Sequence, residues 1–354
     1  MQGLDGLQLT PGNPPNDGIR FVDHRPDDRS GHLGHALVEL EPGCITAWYP
    51  NCSADHDGHS AVGWMEYRRS TDGGRSWEEA RPFPYSKDVF DADDGRSVMT
   101  ENAVRTPDGQ ILAMNLECDV SENALWRPYG VPTYLLSDDG GKHWGPVQSL
   151  GAARGRVYDV IVDDSEIFAL ELENDATDTW YGTEPDHRYA LYVSGNAGSS
   201  FSRRSTLPFE TDRRGYGALQ ILGDGTLAAY VYQLDDEHHL EYTISADGGT
   251  TWDDVGTVAL AKKIRNPQIT AFKDRYILHG RSGSYGYASG NLVLYTSPDG
   301  LNWNDGTYLR MQTAGSGAYS NNLVVGSGED ARLLLQASHA YEASKTNIIH
   351  WWLE

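Results

Sequence analysis

Cysteine is scarce: Cys44, Cys52 and Cys118 are the only three in 354 residues. They are too few and too irregularly spaced for a disulfide framework or a zinc site, and they read as buried thiols. Basic residues are scarce too. With 28 Lys and Arg against 51 Asp and Glu the formal net charge is −23, which argues against nucleic acid or an anionic membrane surface as a partner and for a solvated acidic exterior. No stretch approaches the roughly 18 apolar residues of a membrane helix. The first fifteen residues, MQGLDGLQLTPGNPP, hold neither a basic region nor an apolar core, so no signal peptide is expected there; the chain is then cytoplasmic, or a leader has already been removed from a secreted or periplasmic protein. No metal or cofactor is expected either: Glu237, His238 and His239 are three consecutive loop residues, a weak ligand pattern that reads as a solvated face.

What the chain has in abundance is one repeated phrase. Ser245 to Trp252 reads SADGGTTW, Ser70 to Trp77 STDGGRSW and Ser137 to Trp144 SDDGGKHW; Ser194 to Phe201, SGNAGSSF, and Ser297 to Trp303, SPDGLNW, are close variants. The phrase describes a tight hairpin turn in which the Asp accepts backbone N–H groups, the glycines allow positive φ and the aromatic pins the turn to the sheet beneath. These are the residues of an Asp box, and the pattern resembles the sialidase (neuraminidase) superfamily. The resemblance implies a β-propeller and by itself implies no chemistry. Composition agrees with a large all-β domain: 39 glycines, 10 tryptophans and 39% hydrophobic residues.

Between the turns recurs a second unit, an apolar strand, a turn and another apolar strand. It runs from His35 to Asn51, Asn102 to Glu117, Asp159 to Glu173, Gly217 to Tyr232, Asn266 to Arg281 and Asn321 to His339. Six units predict six blades. The last blade has no such turn, because the chain ends on IIHWWLE, read as its third strand; Gly18 to Asp23 supplies the fourth and closes the ring. Residues 1–354 are thus expected to be one six-bladed β-propeller domain, all-β, with 1–17 as a loose arm.

If each first strand runs downward, the repeated turns lie at the bottom. The top of the axial funnel is then lined by the starts of first strands, the ends of second strands and the loops that follow, a concave site of the usual kind. That placement nominates His32, His35, Glu101, Asn102, Tyr158, Asp159, Tyr216, Arg265, Asn266, Tyr319 and Asn321. From the second strands it adds Tyr49, Asn51, Asn115, Glu117, Glu171, Glu173, Tyr232, Arg281 and His339, and from the first blade's long loop Asp55, Asp57 and His59.

The resemblance assigns roles to two of these. Tyr319, in GAYSNN, falls where sialidases carry their nucleophilic tyrosine, and Asp57, in CSADHDGH, falls where they carry the acid/base. The rest departs from the family pattern. Leu33-Gly34-His35 stands where an arginine is expected, Tyr216 replaces the glutamate that assists the tyrosine, and positions near Tyr230 and Ala288 to Gly290 lack the other two arginines, so sialic acid is a doubtful substrate. A carboxylate pair, Glu101 with Glu173, offers glycoside hydrolysis if Tyr319 is only a wall. The leading reading is therefore a glycoside hydrolase acting on an oligo- or polysaccharide. Two alternatives stay open: a polysaccharide lyase using His35 as base, Tyr216 or Tyr319 as acid and Arg265 as cation on a uronate-containing glycan, and a non-catalytic carbohydrate-binding propeller.

Overall fold

The computed structural model describes residues 18–54, 60–121, 129–174, 187–282, 291–310, 317–343 and 345–354; the arm 1–17 lies outside them. Six antiparallel sheets are arranged as blades. Their first strands are Ala36–Glu41, Arg96–Arg105, Gly155–Asp163, Arg214–Ile221, Arg265–Phe272 and Ser320–Val325, each paired to the second strand that follows it. Successive first strands touch around the whole ring, the last against the first, and all six line one axial cavity of about 470 Å³.

The expected closure is present. Ile19–Val22 pairs antiparallel with Lys345–Leu353, which pairs with Arg332–Glu342, so the last blade takes its outer strand from the other end of the described chain. The second strands are buried on both faces, as in Leu227–Gln233 and Ile111–Asp119. A strand sandwiched between two neighbouring blades has no solvent side, and its sequence is accordingly a continuous apolar run.

The repeated turns share one hydrogen-bond pattern. In the fourth blade Gly249 N donates to Ser245 Oγ at 2.7 Å, while Thr250 N and Thr251 N donate to Asp247 Oδ1 at 3.0 and 2.9 Å. The N–H and hydroxyl of Thr251 hold the Asp247 carboxyl at about 2, below the usual range. The aromatic does something other than expected. It reaches the preceding blade and not the sheet beneath: Trp144 packs on Trp48 and Phe83 of the first blade, Phe201 on Tyr134 of the second, and Trp252 Nε1 donates to Ser205 Oγ of the third at 2.9 Å. Each turn therefore staples its blade to the one before. The reason is room, since an indole is longer than a hairpin turn is wide and only the adjacent blade offers an apolar wall at that distance.

The second glycine of the turn is constrained twice. Gly249 has φ of 82°, and a Cβ there would lie 2.1 Å from Leu191 Cδ2 of the third blade. Gly225 has φ of 84° and nothing within 4 Å. Gly249→Ala should therefore lose about 2–4 kcal/mol, strain and overpacking together, and Gly225→Ala only about 1–2 kcal/mol. Urea midpoints of the two variants check this; equal losses would mean that the turn does not press on the preceding blade.

Candidate active site

First strands are packed between neighbouring blades, and a departure from alternation re-aims a side chain towards the mouth of the ring. Four of the six depart from it by a bulge at one level. In the second blade Thr100 pairs with Asn115 and Asn102 with Met114, leaving Glu101 extra. In the third the extra residue is Tyr158, in the fourth Gly215-Tyr216 oppose Tyr232, and in the fifth Asn266-Pro267 oppose Gly280. A bulge re-aims a side chain. Glu101, Tyr158, Tyr216 and Asn266 all line one small axial pocket, of about 40 Å³, which His35, Arg156 and Tyr319 complete.

At its centre is a buried ion pair. Arg156 grips Glu101 with two parallel hydrogen bonds, Nε to Oε2 at 2.6 Å and Nη2 to Oε1, and Arg156 Nη1 donates to Tyr216 Oη at 2.6 Å. Burial works against the arginine's charge, but the charge of Glu101 outweighs it and holds Arg156 well above the usual arginine value. Burial lifts the Glu101 carboxyl, with Arg156 opposing. Bidentate geometry keeps such a pair ionised. Burial also pushes the Tyr216 and Tyr158 phenols well above 10, with Arg156 opposing in both, so both stay protonated at neutral pH. The aromatic rings gather round the arginine: Tyr216 lies 4.4 Å beneath Arg156, Tyr158 4.7 Å from Tyr216, and Tyr319 5.7 Å from Tyr216. On its other sides Tyr319 meets His32 edge-on at 4.5 Å and the Arg281 guanidinium at 5.8 Å. Arg281 is buried, and its Nε has no hydrogen-bond partner.

The remaining nominated residues are placed as follows. His35 lines the pocket as a neutral, tied imidazole: its Nε2 donates to His32 O at 3.3 Å, its Nδ1 accepts from Gln336 Nε2 at 3.2 Å, and burial lowers it to about 4. Both nitrogens are occupied, which disqualifies it as the general base of the lyase reading. Tyr232 stacks behind Tyr216 at 6.5 Å. Arg265 is buried in an ion pair with Glu237, which is therefore no part of a solvated face. Asn102 and Asp159 face the lower axial cavity and not the mouth. Asp159 staples the third blade to the fourth by accepting Leu219 N at 2.8 Å, with burial raising it to about 7.

Others leave the axis altogether. Tyr49 and Asn51 are bound to Glu66 within the first blade, at 3.0 and 2.6 Å. Glu117 accepts from Tyr85 and from Arg96. Glu173 does not line the axial pocket; it is held by Arg188 at 2.6 Å, Arg203 at 2.8 Å and Tyr192 at 3.0 Å, so the Glu101 and Glu173 pair is corrected to two separate carboxylates, each neutralised by its own arginines. Its strand-mate Glu171 is fully buried with neither oxygen partnered. His339 lines a cleft on the last blade beside Arg20 and Tyr341. Asp57 lies outside the described residues, as do Asp55 and His59.

Arg156 was not nominated by the sequence. The signal was a broken period: Val157 and Val160 both enter one core cluster but stand three apart where a regular strand would place them two or four apart. That spacing marks a bulge and puts Arg156 and Tyr158 at the mouth.

No protein-family model matches the chain, and no curated protein matches it. Solved structures do. A protein of unknown function from Dyadobacter fermentans aligns over 99% of this chain and 100% of its own, at TM-score 0.72 and 14% identity. The Hadza microbial sialidase Hz136 aligns over 94% and 68%, at 0.67 and 15%, and the Penicillium chrysogenum α-L-arabinanase, solved with arabinobiose, over 95% and 97%, at 0.63 and 12%. The chain therefore has the six-bladed sialidase-like propeller fold.

Two predictions follow from the buried charges. Removing one member of the axial pair, as in Glu101→Gln, should cost about 3–5 kcal/mol, while Glu101→Leu with Arg156→Met should recover most of that loss; denaturant titration of single and double variants decides it. Burial, then the charge of Glu173, raises Glu171 to about 8. The fold favours its acid form, whereas the unfolded chain releases that proton near 4.5, so stability falls as pH rises from about 4.5 to about 8. Glu171→Gln should match the wild type at pH 5 and exceed it by up to about 5 kcal/mol at pH 9. Parallel pH profiles for the two proteins would contradict this.

Proposed function

We propose that the protein is a glycoside hydrolase whose reaction takes place at the mouth of the ring, with Tyr319 as nucleophile and Asp57, on the loop after the first blade's second strand, as proton donor. The observation that carries the reading is the setting of Tyr319. Its ring stands at the axial pocket between Tyr216, His32 and the buried Arg281. Aromatic faces suit the apolar faces of sugar rings. The sialidase and the arabinanase that share this fold support a sugar as substrate.

In this reading Tyr319 Oη bonds to the anomeric carbon and gives its proton to water at the mouth, while the glycosidic bond breaks and Asp57 protonates the departing oxygen; water then attacks the tyrosyl–sugar carbon, Asp57 takes that water's proton, and the released tyrosyl oxygen regains a proton from solvent. The position where a sialidase places a carboxylate beside the tyrosine holds Tyr216, a protonated phenol, so the carboxylate of this site acts one residue removed: Glu101 orients Arg156, and Arg156 fixes the Tyr216 oxygen. Arg281, buried and without a carboxylate partner among the described residues, favours one second reading, a lyase acting on a uronate-containing glycan, with the tyrosines moving the protons.

The deciding experiment is turnover of a panel comprising a sialoside, arabinan, galactan and uronate polysaccharides, followed by new reducing ends and by the ultraviolet absorbance of an unsaturated uronate. Reducing ends alone support the hydrolase, and Tyr319→Phe should then lose at least about 10³-fold in kcat. Absorbance appearing with the ends makes the protein a lyase. Binding without turnover makes it a carbohydrate-binding propeller.

A further inference from the structure

The axial pocket contains a donor with nothing to donate to. Asn266 is 5% exposed, lines the pocket, and its Nδ2 makes no hydrogen bond. Buried amides are almost always paired, and an exception calls for a reason. The same residue is strained. Its φ is 52°, in the left-handed region, although it stands in a strand where no chain reversal needs it. It also precedes Pro267, and a following proline disfavours helical conformations and drives a residue towards extended ones. The strand is shaped to keep it there: opposite the bulge is Gly280, where a Cβ would lie 2.6 Å from Arg265 O and 3.0 Å from Asn266 O.

A second strained residue adjoins the same pocket. Ala318, immediately before Tyr319, has φ of 64° and is buried. Strain of this kind in non-glycine residues collects where a ligand is bound or a reaction is carried out. The Arg281 Nε, whose guanidinium lies against Tyr319, is another unpartnered donor and is also in the fifth blade. With the Tyr158 hydroxyl, which lines the same pocket and is also unpartnered, these buried donors describe a place for an oxygen.

We propose that Asn266 is a substrate-binding residue: its amide nitrogen donates to an oxygen acceptor of the sugar seated at the ring mouth, and the bulge holds it in a strained conformation for that purpose. The proposal rests on the glycan reading for the identity of the acceptor. It does not rest on it for the existence of the site. Glycine adopts positive φ without strain and carries no orphan amide. A residue kept for packing is missed by the fold when it is replaced by glycine; a residue kept for a ligand is missed only by the ligand.

The test compares Asn266→Gly, Asn266→Asp and the wild type, in Tm without ligand and in kcat/KM on whichever panel glycan the wild type turns over. The expected result is a Tm for Asn266→Gly equal to or above the wild type, with kcat/KM down roughly tenfold or more, chiefly through KM. Asn266→Asp, which tolerates the same backbone but presents an acceptor, should lose at least as much. A Tm several degrees lower for the glycine variant, or wild-type kcat/KM in both variants, overturns the proposal. If the wild type turns over none of the panel, the glycan reading falls and the stability arm decides alone: an unchanged or higher Tm supports an amide held for a ligand, and a lower one makes Asn266 structural.

Discussion

A strand in the middle of a propeller has no face to spare. Side chains alternate along it, and most are buried against neighbouring blades. The bulges at Glu101, Tyr158, Tyr216 and Asn266 break this constraint at one level of the ring. Each inserts a residue that the two interfaces do not use, and together the inserted residues make the pocket. The chemistry of the mouth and the packing of the body are thereby separated within a single strand, which lets the one vary while the other stays the same.

That separation has an electrostatic cost, which the Glu101 and Arg156 pair meets. A guanidinium buried among phenols would be costly alone, and so would a carboxylate. Joined by two parallel bonds they are tolerated, and the pair spans two blades, since Glu101 belongs to the second and Arg156 to the third. The same device recurs between the fourth and fifth blades in Glu237 and Arg265. With the Phe201 staple at the opposite turn, the Glu101 and Arg156 pair fixes the second blade to the third at two heights. Tyr216 profits from this rigidity: its oxygen is held by an arginine that cannot itself move.

The architecture was legible because its determinants are local and repeated. Five copies of a turn and six copies of a strand pair gave the blade number, and the terminal IIHWWLE run gave the closure, since a propeller must complete its last sheet from whatever chain remains. The site was legible only in part. Position along a strand places a residue at the mouth, but side matters as much as height, and side depends on the bulge. Glu173 and Glu117 stand at the right height and point between blades, where arginines await them. His35 reaches the pocket with both nitrogens occupied, which depends on Gln336, some three hundred residues away in the chain. Arg156 was missed because one inserted residue shifted the alternation that would have exposed it. Even the turn aromatics, whose presence was plain, turn out to bind the preceding blade, a distinction that a strictly periodic sequence leaves no way to draw.

What distinguishes this mouth from its surroundings is the state of its charges. The chain carries −23 overall, yet at the pocket the carboxylates are spent on arginines one for one: Glu101 on Arg156, Glu237 on Arg265. Arg281 is left over, buried against Tyr319 without a carboxylate among the described residues. A single uncompensated cation in a low-dielectric setting acts strongly over a few ångströms and hardly at all beyond the screening length. An acidic exterior does not cancel it, because the exterior charges are solvated and the cation is not. The ring of Tyr319 lies against it. Burial holds Tyr216 and Tyr158 in their neutral forms. Three tyrosines of one chemistry thus stand in different settings, Tyr158 and Tyr216 against Arg156 and Tyr319 against Arg281.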